Sequence, residues 1–330
     1  MQGVGRVCRP SAYDFWAGEG MRRFTLRSAR GETSGIAFGP KGSVDGPPDL
    51  VFLHATGFNA LTYRPLLEPL GERFRVIALD LRGHGRSRLP RDPDRLTTLW
   101  IYARDLLAML RALRLERPPI LSGHSLGGLV SITACAARRG IAERLVLVDP
   151  VLPPWRFSHR YQPLHRLADR IALLPIAQGA ARRRGRFATK PEAVAAYRQR
   201  PTFAGWAPGF LEGYVEDGFV DAEDGGIRLS CTPAWEAASF AALRHDIPAL
   251  LGRIRAPVEI LRAERESTVR ESEARLKRLK PDLVMDTIAG ASHFLPMEQP
   301  EPVRARLLAA LEARAGARVA EPHREVAHVG

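Results

Sequence analysis

The chain has 330 residues, room for one large domain with an inserted element or for two domains. Its 45% hydrophobic and 26% charged residues sit near soluble globular averages and exclude wholesale disorder, a collagen-like chain and a small disulfide scaffold. The net charge of +13 reflects 49 basic against 36 acidic residues, yet only Lys41, Lys190, Lys277 and Lys280 are lysines. So arginine-heavy a balance points to genomic base composition rather than to a nucleic-acid partner.

In chain order, residues 1–20 contain Arg6, Arg9, Asp14 and Glu19 and no continuous apolar segment, so they read as a disordered extension rather than a secretory signal, with Met21 an alternative start. Arg22–Ser28 and Thr33–Phe38 are predicted as strands around the turn Arg30-Gly31, followed by a Gly/Pro-rich loop over Pro40–Pro48. Leu50–Ala55, Phe74–Asp80, Ile120–Gly123 and Leu145–Asp149 are buried strands. Leu96–Leu115 is an amphipathic helix carrying Leu99, Ala103, Leu106, Leu107, Leu110 and Leu113 on one side. Strands alternating with helices imply a parallel sheet.

From Pro153 to about Pro248 the alternation stops and no clean strand is predicted. Pro153–Pro201 holds eleven basic residues against Asp169 and Glu192, whereas Thr202–Asp246 holds eight acids against Arg228 and Arg244. This reads as a helical insertion whose halves can pair electrostatically, most of the charges being solvated. The alternation resumes with the strand Val258–Leu261, a charged helix over Ser267–Lys280, the strand Leu283–Ile288 and a last helix over Pro302–Ala313. The core is therefore expected over 21–152 and 249–315, the insertion over 153–248, and a flexible tail over 316–330. No apolar run reaches the roughly 18 residues of a membrane span. Cys8, Cys135 and Cys231 lack metal-site spacing and read as reduced thiols. A cytoplasmic protein, monomeric or homodimeric, without metal or cofactor is expected.

Chemistry concentrates in Gly123-His124-Ser125-Leu126-Gly127, at the end of a strand and ahead of the apolar run Leu129–Ala137. A strand–turn–helix of this kind projects a serine hydroxyl from a tight, strained turn, and glycines on either side remove the clash that a side chain would cause there. The Leu126 N–H then lies at a helix N-terminus, able to stabilise negative charge. Late in the chain, Gly290-Ala291-Ser292-His293-Phe294 follows a strand and offers His293 as a candidate general base. Arginines 182–184 and Arg186 could attract an acidic substrate, although such a cluster is more often solvated.

These motifs, with His54-Ala55-Thr56-Gly57 and Asp80-Leu81-Arg82-Gly83-His84-Gly85-Arg86-Ser87, resemble the α/β-hydrolase family from roughly Arg22 to Ala313. The resemblance implies an eight-stranded, mostly parallel sheet with helices on both faces and a helical cap, or lid, after the sixth strand. It makes Thr56 the second oxyanion N–H donor beside Leu126, although Ala55 stands where glycine is usual. His54 and His84 receive structural roles. For the acid, Glu266 occupies the place of the family's aspartate in Ala263-Glu264-Arg265-Glu266, with Asp149 and Glu264 as alternatives. A serine nucleophile separates the chain from the epoxide hydrolases and dehalogenases of the same fold, which use aspartate there.

The implied activity is hydrolysis of a carboxylic ester or lactone with a moderately apolar acyl or aryl group. Alternatives are carbon–carbon bond hydrolysis by the same residues and a receptor-like protein with little turnover. Candidate substrate-contacting residues are Phe58, Trp155, Phe203, Trp206, Trp235 and Phe294, with Phe157, Tyr161, Phe210 and Tyr214 in the same aromatic inventory; most of these can equally form the core of the lid.

Overall fold

A computed structural model describes residues 13–16, 20–40, 47–153, 175–243 and 245–320. The main sheet comprises β1 (Tyr13–Trp16), β2 (Arg22–Ser28), β3 (Gly31–Phe38), β4 (Leu50–Leu53), β5 (Val76–Leu79), β6 (Ile120–His124), β7 (Arg144–Val148), β11 (Val258–Ala263) and β12 (Val284–Ile288). Its order is β1-β2-β3-β5-β4-β6-β7-β11-β12. Pairing is antiparallel from β1 to β5 and parallel from β5 onward. The expected eight strands are present, and β1 adds a ninth inside the stretch 1–20 that was expected to be disordered. Its four residues are too few to leave an alternating pattern.

The central strands are buried on both faces and alternate between two cores. Val51 and Leu53 of β4 and Leu145 and Leu147 of β7 join one core, with the helices Trp100–Ala112 and Leu126–Ala137. Leu50, Phe52, Val146 and Val148 join the other, with Leu66, Leu67 and the helix Pro300–Ala320. Such two-sided burial is why these strands appear in the sequence as continuous apolar runs. Successive connections leave β4 in opposite directions, to β5 on one side and, through the chain, to β6 on the other. The switch point lies between β4 and β6, where ligands of open α/β sheets bind beyond the carboxyl ends of the strands.

The insertion is not wholly helical. Beside helices such as Lys190–Arg198, Phe210–Gly218 and Pro233–Ala241 it contains a three-stranded antiparallel sheet of β8 (Arg186–Phe187), β9 (Phe219–Asp221) and β10 (Ile227–Leu229). Strands of two or three residues have no readable periodicity. The charge asymmetry is used: Arg183–Glu236, Arg186–Asp224, Lys190–Glu216 and Arg198–Glu212 each join the basic half to the acidic half.

Two further segments depart from expectation. In place of a helix over Ser267–Lys280 only Glu273–Lys277 is helical, capped by the Ser272 side chain. The stretch before it is held extended, with Leu152 bridged to Val269 and the Ser267 and Thr268 hydroxyls bonded to Asp149. The last helix runs to Ala320, five residues into the expected tail.

Candidate active site

Ser125 stands between β6 and the helix Leu126–Ala137 with φ 54° and ψ −114°. Strain of this kind costs on the order of 1–3 kcal/mol and persists only where the surroundings impose it. Here its N–H donates to Val148 O at 3.0 Å, and its carbonyl accepts from Val151 and Leu129 N–H, both at 3.2 Å. A Cβ on Gly123 would overlap the backbone of Gly127, and one on Gly127 would overlap the carbonyl of Leu53. Both glycines are there because backbone passes where a side chain would be.

His293, in the turn after β12, brings Nε2 to 3.0 Å from Ser125 Oγ. Its Nδ1 lies 2.6 Å from Asp149 Oδ2. An ionised carboxylate only accepts, so Nδ1 carries the ring proton and Nε2 is left to accept the serine O–H. Asp149 follows β7 directly and is fully buried at 0% exposure. Its Oδ1 accepts from Ser267 Oγ at 2.5 Å and Ala263 N–H at 2.9 Å, and its Oδ2 from Thr268 N–H at 2.9 Å. Burial pushes this carboxyl up, but the hydrogen bond and charge of His293, with the Ser267 and Ala263 donors, outweigh it and hold Asp149 below its usual range.

The expectation that Glu266 partners the histidine is corrected. Glu266 is exposed, at φ 54°, on the crest of the loop after β11. Ser267 and Thr268 turn inward from that loop to hold Asp149, which faces Glu266 outward. Glu264 is exposed as well and accepts the Gly290 N–H at 2.7 Å. The two hydroxyl residues were missed because Ser267 was read as the start of a helix; adjacent Ser-Thr after a strand end is the signal that could have found them.

The loop after β4 is bonded on both sides of Thr56. The Ala55 N–H donates to Tyr63 Oη at 3.1 Å, the Gly57 N–H to His84 Nε2 at 3.0 Å, and the Phe58 N–H to Ala55 O at 3.2 Å. The N–H groups of Thr56 and Leu126 have no acceptor among the described residues. His54 Nε2 accepts from Leu81 N–H at 2.9 Å while Nδ1 donates to Ala55 O at 2.8 Å, so this histidine ties the loop to backbone. His84 is held alike, its Nδ1 donating to Arg82 O at 2.9 Å. Burial drives both rings well below their usual pKa, His84 to about 4, so both are neutral acceptors at neutral pH.

Of the aromatic candidates, Phe58, Trp206 and Phe294 come together. Phe294 stacks on Phe58 at 6.1 Å and lies 5.8 Å from both His293 and Trp206. Phe203 packs behind Trp206 at 4.7 Å, among Tyr197 and Tyr214 in the core of the insertion. Trp235 is corrected: it is 1% exposed, donates its indole N–H to Arg82 O at 3.0 Å and belongs to the main core, so it contacts no substrate. Trp155, Phe157 and Tyr161 lie outside the described residues. Three arginines of the cluster are engaged, Arg183 with Glu236, Tyr214 and Tyr197, Arg184 with Glu192, and Arg186 with Asp224, while Arg182 is exposed. Among the described residues no three His, Cys, Asp or Glu are grouped to hold a metal ion, and no helix is long and apolar enough to cross a membrane.

A family model described as "Alpha/beta hydrolase family" matches residues 50–306. A 2-(acetamidomethylene)succinate hydrolase of Mesorhizobium japonicum is 28% identical over 257 residues, covering 77% of this chain and 84% of that protein. An N-formylmaleamate deformylase of Pseudomonas putida is 27% identical over 241 residues, covering 72% and 79%. Among solved structures, an E-2-(acetamidomethylene)succinate hydrolase superposes with a TM-score of 0.72 at 24% identity, covering 91% of this chain and 99% of its own, a likeness of fold.

Proposed function

The chain belongs to the alpha/beta hydrolase family, and from that premise we propose that it is a serine hydrolase working through an acyl-serine intermediate, with Ser125 as nucleophile, His293 as general base and Asp149 as the orienting acid. The observation that carries this reading is the unbroken run from Asp149 Oδ2 through the His293 ring to Ser125 Oγ. In the first step Ser125 Oγ attacks a carbonyl carbon as its proton passes to His293 Nε2. Asp149 stabilises the imidazolium without taking its proton. The alkoxide faces the N–H groups of Thr56 and Leu126, which have no acceptor among the described residues, each such donor being worth roughly 10²–10³ in rate. His293 then protonates the leaving group, and a water activated by the same ring releases the acid and restores Ser125.

The first substrate class is a carboxylic ester or lactone with a moderately apolar acyl or aryl group. Phe58, Trp206 and Phe294 beside His293 support an apolar wall, and the insertion over 153–248 acts as the cap that contributes Trp206. A second reading is favoured by the two relatives matched over most of their length, whose named substrates, 2-(acetamidomethylene)succinate and N-formylmaleamate, are not carboxylic esters. In that reading the same residues cleave a carbon–carbon or acyl–nitrogen bond of a small carboxylate.

A fluorophosphonate probe tests the core of the proposal: wild type labels at Ser125, and Ser125→Ala and His293→Ala do not. Full hydrolysis by Ser125→Ala would remove the mechanism. A panel of p-nitrophenyl esters, lactones, N-formyl and N-acetyl amides and a vinylogous diketone then separates the substrate classes. Labelling without turnover of any panel member would indicate a receptor-like protein.

A further inference from the structure

Two buried side chains connect the loop of Thr56 to the turn of His293. Tyr63 and His124 are both 0% exposed. Tyr63 Oη accepts the Ala55 N–H at 3.1 Å and lies 2.7 Å from His124 Nδ1; His124 Nε2 lies 2.8 Å from the carbonyl oxygen of His293. This chain of bonds has one direction. A carbonyl can only accept, so the His124 proton sits on Nε2, leaving Nδ1 as the acceptor of the single tyrosine proton, while the tyrosine oxygen receives Ala55.

Beside the Phe58–Phe294 ring contact, the pair joins the same two segments by hydrogen bonds. Ala55 immediately precedes Thr56, and His124 immediately precedes Ser125. The accepting carbonyl belongs to His293 itself. One bridge therefore touches all three segments on which the reaction depends, from the rear and in a volume closed to water. Gly57, on the other side of Thr56, is held separately by His84.

We propose that Tyr63 and His124 are positioning residues for the hydrolytic reaction, a buried hydrogen-bond bridge that sets the placement of the Thr56 N–H and of the His293 ring relative to Ser125. This rests on the roles given to those three residues above. The bridge stores no charge. Burial, followed by the nearby His293, takes His124 down to about 3, and burial raises the Tyr63 phenol well above its usual value, so both stay neutral over the working range. Losing it lets the two loops relax independently, and misplacement by a fraction of an ångström is expensive for a reaction that relies on alignment.

The test compares Tyr63→Phe, His124→Leu, His124→Gln and the double variant Tyr63→Phe/His124→Leu with the wild-type chain, at a temperature where all are folded by circular dichroism. Readouts are the fluorophosphonate labelling rate at Ser125 and kcat and KM for p-nitrophenyl acetate. Tyr63→Phe and His124→Leu are each expected to lower the labelling rate and kcat roughly ten- to hundred-fold with KM within about two-fold. Glutamine offers one acceptor and one donor at similar separation, so His124→Gln recovers most of that loss, and the double variant is no slower than the slower single one. If His124→Leu does not fold, Tyr63→Phe and His124→Gln carry the comparison. Variants that melt earlier but keep wild-type rates while folded would overturn the bridge, as would losses that multiply in the double variant. A wild type that neither labels nor turns over overturns the site itself, before any variant is read.

Discussion

Asp149 Oδ2 meets His293 Nδ1 at 2.6 Å across a sequence separation of 144 residues. The carboxylate thus comes from the end of β7, while the neighbouring strand β11 contributes Ala263 N–H, and the loop after it Ser267 Oγ and Thr268 N–H, to hold it. The loop after β11 supports the acid and leaves its own carboxylates, Glu264 and Glu266, exposed.

Asp149→Asn is expected to lower kcat/KM for a p-nitrophenyl ester about 10³- to 10⁴-fold, because an amide opposite Nδ1 favours the wrong tautomer. Glu266→Gln should stay within two-fold of wild type. Ser267→Ala removes one donor to the carboxylate and is expected to cost roughly ten-fold in kcat with little change in KM. A large loss in Glu266→Gln together with near-normal Asp149→Asn would return the acid role to Glu266.

Stability should fall as pH drops below neutrality. His84 and His124 are neutral when folded, with pKa values near 4 and 3, but take up protons near 6.5 when unfolded. Between those limits the unfolded chain binds more protons, so stability rises with pH and is lost as pH falls from about 6.5, by up to about 3 kcal/mol for His84. Asp80, raised to about 6 chiefly by burial, has the opposite sign: it favours the folded state as pH falls from 6 toward 4. His54 and His245, lowered as well, side with the first pair and outweigh it. Melting temperatures from pH 7.5 to 4 should decline steadily, and a flat profile would contradict the neutral, buried state of these rings.

Arg183 links two halves of the insertion from a site where its side chain is 15% exposed and that of its partner Glu236 is 9% exposed. Arg183→Ala strands a buried carboxylate and the Tyr214 hydroxyl and should cost about 3 kcal/mol. Arg186→Ala breaks an open pair with Asp224 and should leave the melting temperature unchanged. Equal melting shifts in the two variants would show that burial does not distinguish these pairs.

Glycine positions give opposite outcomes. Gly127→Ala drives a methyl into the Leu53 carbonyl and is expected to abolish soluble expression or Ser125 labelling. Gly179→Ala, within the helix Pro175–Arg182 and with open space around it, should raise stability by about 0.5–1 kcal/mol, read in urea unfolding. A Gly179→Ala variant that melts below wild type would show that this turn is not helical in solution.

Much of the architecture was legible because its signals are local. Buried parallel strands leave unbroken apolar runs, as Leu50–Leu53 and Leu145–Val148 do, and a strand ending in Gly-x-Ser-x-Gly ahead of an apolar helix carries its turn chemistry within a few residues. His293 is picked out because it follows the last strand late in the chain, where the family resemblance implies the general base. What short-range pattern lacks is β1, the small sheet of the insertion and the early end of the expected helix at 267, each decided by pairing with distant chain.

The residues and the family resemblance they carry gave eight strands of the sheet, the strained serine turn and His293 as candidate base, since buried strands and a Gly-x-Ser-x-Gly turn leave their mark within a few residues. Which carboxylate meets His293, the outward turn of Glu266, the burial of Trp235 and the Tyr63–His124 link were decided by tertiary structure. Each depends on which groups two strand ends or two loops present to one another, and hydrogen bonds of 2.6–3.0 Å between residues far apart in the chain leave no trace in its order.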